Sequence, residues 1–139
     1  MTAGRVETIP GSRSRVSVGV DIAAVERVRT LLSDQPALAV EIFTERELAY
    51  AHGRRRRAEH LAARFAAKEA VVKAFGAGMP WRDIEVVNST SGRPRLRLSG
   101  VAATAAAARG VEAMDVSLSH SGGFAIAVVV FTISEEEST

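Results

Sequence analysis

The chain contains no cysteine, so neither a disulfide nor a thiolate zinc site can form. No apolar run approaches the ~18–20 residues of a membrane-spanning helix; the longest, Phe124 to Phe131, is strand length. With no signal-peptide pattern either, the chain reads as soluble and cytoplasmic, without a membrane partner. Aromatic side chains are scarce as well. One Trp, one Tyr and five mostly core-patterned Phe leave no exposed platform for stacking single-stranded bases. Lysine is the last shortage: Lys68 and Lys73 stand against sixteen arginines.

What is present fits one domain. At 139 residues and 47% hydrophobic content, a single core can be buried without covalent staples. Residues 1–15 carry Gly, Ser, Pro and Arg without periodicity and read as a flexible N-terminal extension, and residues 134–139 as an acidic C-terminal tail. The domain is expected over residues 16–133. The net charge is +2, and without Glu135, Glu136 and Glu137 the body is more basic, which favours acidic partners.

Ser17 to Ile22 predicts a first strand, which puts Asp21 at a strand end. A helix over Val25 to Leu32 follows, its charges Glu26, Arg27 and Arg29 falling outside the Val25, Val28, Leu32 stripe. Ala37 to Phe43 suggests a short helix. Thr44-Glu45-Arg46-Glu47 is a capping box that starts another, ended by Gly53. The arginine run 54–57 is then a solvated loop before a long helix, roughly 58–76, stopped by Gly76, Gly78 and Pro80. Ile84 to Asn88 and Arg95 to Leu98 flank a turn and predict a hairpin, with Arg93, Arg95 and Arg97 outward. Ser99 is placed to cap an alanine-rich helix over 100–109 that ends at Gly110. Met114 to His120 and Phe124 to Phe131, joined by Ser121-Gly122-Gly123, predict an antiparallel pair. The element order indicates an α+β domain, an antiparallel sheet packed on one long buried helix.

That helix is apolar nearly all round, so charges on it need partners: each other, a metal, or a charged ligand. Glu69 and Lys73 stand four apart on one face and could form a plain surface pair. Asp21 and Glu69 are also a candidate magnesium pair, two hard oxygen ligands that leave coordination positions to a phosphate; the alternative for Asp21 is ordinary capping of the helix it precedes. His120, before Ser121-Gly122-Gly123, could hold an anion beside backbone amides, or be merely solvated. His52 and His60 read as surface residues, and Trp81 as cover for the core edge.

Gly19-Val20-Asp21-Ile22, Arg64-Phe65-Ala66-Ala67-Lys68-Glu69-Ala70 with Lys73-Ala74-Phe75, Gly92-Arg93-Pro94 and Ser117-Leu118-Ser119-His120 together resemble the holo-[acyl-carrier-protein] synthase type of 4'-phosphopantetheinyl transferase. The resemblance runs in order through residues 16–131. It implies transfer of the phosphopantetheine arm from coenzyme A to a serine of an apo acyl carrier protein, with release of adenosine 3',5'-bisphosphate. It also implies an α+β fold, a homotrimer with sites at subunit interfaces, and Mg2+ on Asp21 and Glu69. On this reading Lys73 neutralises the leaving phosphate, and Glu69, directly or through a metal-bound water, accepts the serine proton. Arg64, His120 and Ser121 are expected at the 3'-phosphate, Gly92 and Pro94 at the adenine, and Arg27 with Arg29 at the docking surface for the acidic carrier protein. Two rival classes remain, a small Mg2+-dependent nuclease and a basic RNA-binding protein. The nuclease pattern sets its glutamate and lysine two apart on a strand, and the second rival lacks aromatics, so no nucleic acid is expected as partner.

Overall fold

The structure, a computed structural model, describes residues 14–134. Its first strand, β1 (Ser14–Ala24), leads into α1 (Val25–Asp34), α2 (Pro36–Ile42), α3 (Glu45–Ala51) and the 19-residue α4 (Arg57–Phe75). A single 3-10 turn (Trp81–Asp83) precedes the hairpin β2 (Ile84–Asn88) and β3 (Pro94–Leu98). Then come α5 (Gly100–Ala108), β4 (Val111–Ser121) and β5 (Phe124–Ser134).

Three strands of equal length form the main sheet in the order β1-β5-β4, both pairings antiparallel. The period of two separates its faces. Ala125, Ala127, Val129 and Phe131 of β5 are fully buried under α4, whereas Val16, Val18, Val20 and Ile22 of β1 are more than half exposed on the other face. The β4–β5 turn is Gly122-Gly123, with φ of 58° and 83°, a two-residue hairpin that needs positive φ at both positions.

Gly19 decides how close β1 lies to α4. A Cβ there would stand 1.9 Å from the Ala70 carbonyl oxygen, so only glycine admits this packing. Ser17 holds the same contact by donating its hydroxyl to the Ala74 carbonyl at 2.5 Å. Asp21, two residues past Gly19, therefore reaches α4 on the same face.

The α+β architecture and the order of elements are as expected. The Thr44 capping box is complete, with Glu47 N–H donating to Thr44 Oγ1 and Thr44 N–H to Glu47 Oε1. Several details differ. β1 starts at Ser14 and β5 runs to Ser134, so residues 14, 15 and 134 are strand; the rest of the leader and the acidic tail lies outside the described residues. Asp21 is not at a strand end, since β1 continues three residues to Ala24 and Asp21 pairs with Ala127. Nor does Ser99 cap α5. Asp83 does, accepting the Ala102 N–H at 3.2 Å, because Gly100 at φ 51° lets its carboxylate come close. The start of α1 is likewise held from a distance, Val25 N–H donating to the Gly123 carbonyl at 2.9 Å.

Candidate active site

The close approach at Gly19 brings one side chain from β1 and two from α4 together. Lys73 Nζ donates to Asp21 Oδ1 at 2.6 Å and to the Val20 carbonyl at 3.2 Å. Of the alternatives open for Lys73, the plain pair with Glu69 along the helix is not the one formed: its carboxylate partner is Asp21, on the neighbouring strand. The hydrogen bond to Asp21 holds the Lys73 pKa above the usual lysine range, since it exists only for the charged forms. Glu69 is left beside Asp21 with its pKa raised, first by burial and then by the Asp21 charge, against the opposing pull of Lys73 and Arg27. Among the described residues no group of three or more His, Asp or Glu gathers as a metal cage, so Asp21 and Glu69 stand as a pair.

These residues line a cavity of about 910 Å³, with Arg27, Phe65 and Leu31 among its walls. Phe65, Glu69 and Lys73 recur every four residues and so share one stripe of α4. A cavity that is apolar on most sides and carries two carboxylates and two cations at one end can hold a polyanion against the cations, with a carboxylate of raised basicity next to it.

A second cavity, of about 440 Å³, lies where α4 meets the β2–β3 hairpin and β4; Arg64, Gly92, Pro94 and His120 line it, with His60 and Tyr50. Arg64 is only 3% exposed. Its guanidinium donates to Asn88 Oδ1 at 2.8 Å and to the His60 carbonyl at 3.3 Å, and it packs over the Tyr50 ring 4.3 Å from the centroid. Its Nε is buried without a partner. Asn88 also donates to the Gly92 carbonyl at 3.1 Å, which ties the hairpin turn to the arginine. His60 is half-buried, edge-on to Tyr50 at 5.5 Å, not on the open surface as its sequence context suggests. Burial and the neighbouring Arg64 hold its pKa below the usual histidine value.

Four of the residues expected at the nucleotide thus share one cavity, and Asp21, Glu69, Lys73 and Arg27 share the other. Ser121 lines neither; it is exposed at the end of β4, opposite Phe124. Arg29 points away from Arg27, pairing with Glu26 and lining a third groove of about 680 Å³ beside Arg55, Arg56 and Arg57.

With this geometry in place, the comparisons are decisive. A sequence model of the 4'-phosphopantetheinyl transferase superfamily matches residues 17–129. The chain belongs to that superfamily. It is 53% identical over 119 residues to a holo-[acyl-carrier-protein] synthase of Streptomyces avermitilis, an alignment covering 84% of this chain and 97% of the relative. An ACPS–CoA complex from Chronobacterium ammoniagenes matches its fold with a TM-score of 0.77 at 31% identity, covering 87% of this chain and 99% of that one. A holo-(acyl-carrier-protein) synthase from Bacillus anthracis in complex with CoA (3',5'-ADP) matches with a TM-score of 0.70 at 35% identity, covering 85% and 96%.

In this phosphopantetheinyl transferase chain a second lysine–carboxylate pair lies inside the core, on the same helix α4. Lys68 and Glu47 are completely buried and 2.7 Å apart. Lys68 also donates to the carbonyls of Trp81 (3.0 Å) and Ile84, while Glu47 Oε2 accepts the Val86 N–H at 3.1 Å. The network clamps α3, α4 and β2 together. Sequence reading missed it because Glu47 was accounted for by its capping box. The available signal was Lys68 itself, set in an otherwise apolar helical run.

Proposed function

We propose that the chain transfers the 4'-phosphopantetheine arm of coenzyme A to a serine of an apo acyl carrier protein, releasing adenosine 3',5'-bisphosphate. The observation that carries the reading is the meeting of Asp21, Glu69 and Lys73 in one cavity of a superfamily member. Its named relatives are holo-[acyl-carrier-protein] synthases, and both structural neighbours named above are complexes with coenzyme A.

The serine oxygen attacks the phosphorus that carries pantetheine, the bond from that phosphorus to the bridging oxygen breaks, and the serine proton leaves to a base. Glu69 is suited to accept it, because burial and Asp21 make it more basic than a free glutamate, against the smaller opposing pull of Lys73 and Arg27. Lys73 offsets the charge that grows on the departing phosphate, a point charge being well matched to a single phosphate oxygen.

Asp21 and Glu69 fit a hard divalent cation. They lie close enough for Asp21 to raise the Glu69 pKa, and as two hard oxygen donors they would suit a divalent cation of the magnesium type. Magnesium bound there would neutralise pyrophosphate charge. Asp21 and Glu69 would hold the ion, with Lys73, hydrogen-bonded to Asp21, beside it.

Arg64 and His120 are assigned to the 3'-phosphate, Gly92 and Pro94 to the adenine, and Ser121, exposed beside them, to the rim. Arg27 stands on α1 at the mouth of the carboxylate cavity, where an acidic carrier protein would present its serine, with Arg29 extending the positive surface toward the arginine groove. The apolar outer face of the sheet, with Val16, Val18, Val20 and Ile22 52–62% exposed and Phe124 47%, is assigned to a symmetric trimer with the sites at its subunit interfaces. Among the described residues no helix is long and apolar enough to cross a membrane. We assign the enzyme to the cytoplasm, in keeping with a chain that carries no cysteine.

The test is incubation with coenzyme A, Mg2+ and a panel of apo carrier proteins, followed by intact-mass measurement. The reading expects one arm added at serine of at least one carrier. If every carrier keeps its mass, the reading fails.

A further inference from the structure

The cavity around Arg64 is built for more than the two anion ligands assigned to it. His60 enters it from the same helix, one turn before Arg64, and His120 enters from β4. Arg64, which lines it, is almost wholly buried and its Nε has no hydrogen-bond partner; Glu59 Oε2, from the same lining, is the other buried side-chain atom without one among the described residues. With Arg56, Arg64, His60 and His120 against the single carboxylate of Glu59, the lining favours an anion. We propose that His60 is a further anion-binding residue here, acting with His120 and Arg64, and that a phosphomonoester entering the cavity draws a proton onto the His60 ring. The proposal rests on the reading that the cavity receives the 3'-phosphate of coenzyme A.

The charged surroundings set the direction. Facing His60 are Tyr50 from α3, Arg54 and Arg56 from the preceding loop, Glu59 and Arg64 from α4, and His120 from β4. In the empty cavity burial, Arg64, Arg54 and His120 all disfavour the imidazolium, and only Glu59 favours it. A dianion placed among them reverses the balance, since an opposite charge within hydrogen-bond reach favours the protonated ring. His60 is then neutral in the empty enzyme near neutral pH and protonated in the occupied one. Tyr50 holds the ring edge-on, which keeps it aimed at the cavity in both states.

The experiment is calorimetric titration of the full chain with coenzyme A and with 3'-dephospho-coenzyme A at pH 7.5, in buffers of different ionisation enthalpy. At this pH a phosphomonoester is already mostly dianionic, its second pKa being about 6. Wild type should take up a measurable fraction of a proton with coenzyme A and little with the dephospho form. His60→Gln should lose most of that uptake and weaken coenzyme A binding roughly three- to tenfold at pH 6.5, as expected for one charge-assisted contact, and less at pH 8.5. His60→Lys should restore affinity at pH 8.5 with no uptake from that position, a rescue that a purely structural role would not give. If His60→Gln keeps both the uptake and the preference for coenzyme A over its dephospho form, this inference alone is overturned. If wild type binds the two nucleotides equally, the 3'-phosphate reading falls and this inference with it.

Discussion

Lys68 and Lys73 sit five residues apart on one helix, each within 2.7 Å of a carboxylate, and they are opposite in every other respect. The Lys68–Glu47 pair is fully buried and fully hydrogen-bonded, its members facing only protein. In the Lys73–Asp21 pair the lysine is 55% exposed, and a second carboxylate, Glu69, waits beside it. Burial lowers the pKa of Lys68 and its Glu47 partner only partly offsets this, whereas the hydrogen bond to Asp21 raises that of Lys73. A lysine–carboxylate pair thus makes a clamp in one place and part of a reactive cluster in the other. What separates them is solvent access and the second carboxylate, Glu69, beside the Lys73–Asp21 pair.

The sharpest way to break the contrast is through stability. Lys68→Met leaves Glu47 buried without its partner and should cost about 3–5 kcal/mol in urea unfolding, whereas Lys73→Met at the exposed pair should cost far less. Adding Glu47→Gln to Lys68→Met removes the unpaired carboxyl group and should recover part of the loss. Equal losses for the two single variants would erase the distinction.

At the functional end, Arg27→Glu should raise KM for the carrier protein about tenfold at low salt, the worth of about 1.4 kcal/mol, and leave coenzyme A affinity unchanged. Added salt should weaken the wild type more than the variant. An unchanged KM would remove α1 as the docking surface.

The smallest effect concerns Glu69 as a cost to the fold. Its folded pKa is raised, so folding is favoured by the protonated form below the ordinary glutamate pKa, and this advantage is lost as pH rises through the folded value. Glu69→Gln should therefore melt one or two degrees above wild type near pH 7, with the gap closing toward pH 4. A variant that melts lower at pH 7 would show that Glu69 serves the fold.

Much of this was legible in the residues. The capping box, the long helix, the hairpin and the Gly-Gly turn each carry a local signal that survives folding, and the chain's four motifs picked out Asp21, Glu69, Lys73, Arg64 and His120. What sequence could not give was pairing across elements. A Glu69–Lys73 pair was a visible alternative because spacing along a helix is legible, while the observed Lys73–Asp21 pair depends on the Gly19 contact between β1 and α4. Asp83 replaces Ser99 as the α5 cap for the same reason, and His60 is drawn inside by Tyr50, ten residues earlier on another helix. Glu47 shows the reverse error: a local role, correctly read, concealed a second one with Lys68.

The central claim is that Asp21 and Glu69 do chemistry at a site the buried pair merely supports. Its most direct test is the rate of arm transfer to an apo carrier protein, followed by intact mass with coenzyme A and Mg2+, in wild type, Asp21→Asn and Glu69→Gln. Both variants should remain folded and transfer about a hundred- to a thousandfold more slowly than wild type. Wild-type rates in both would contradict the account.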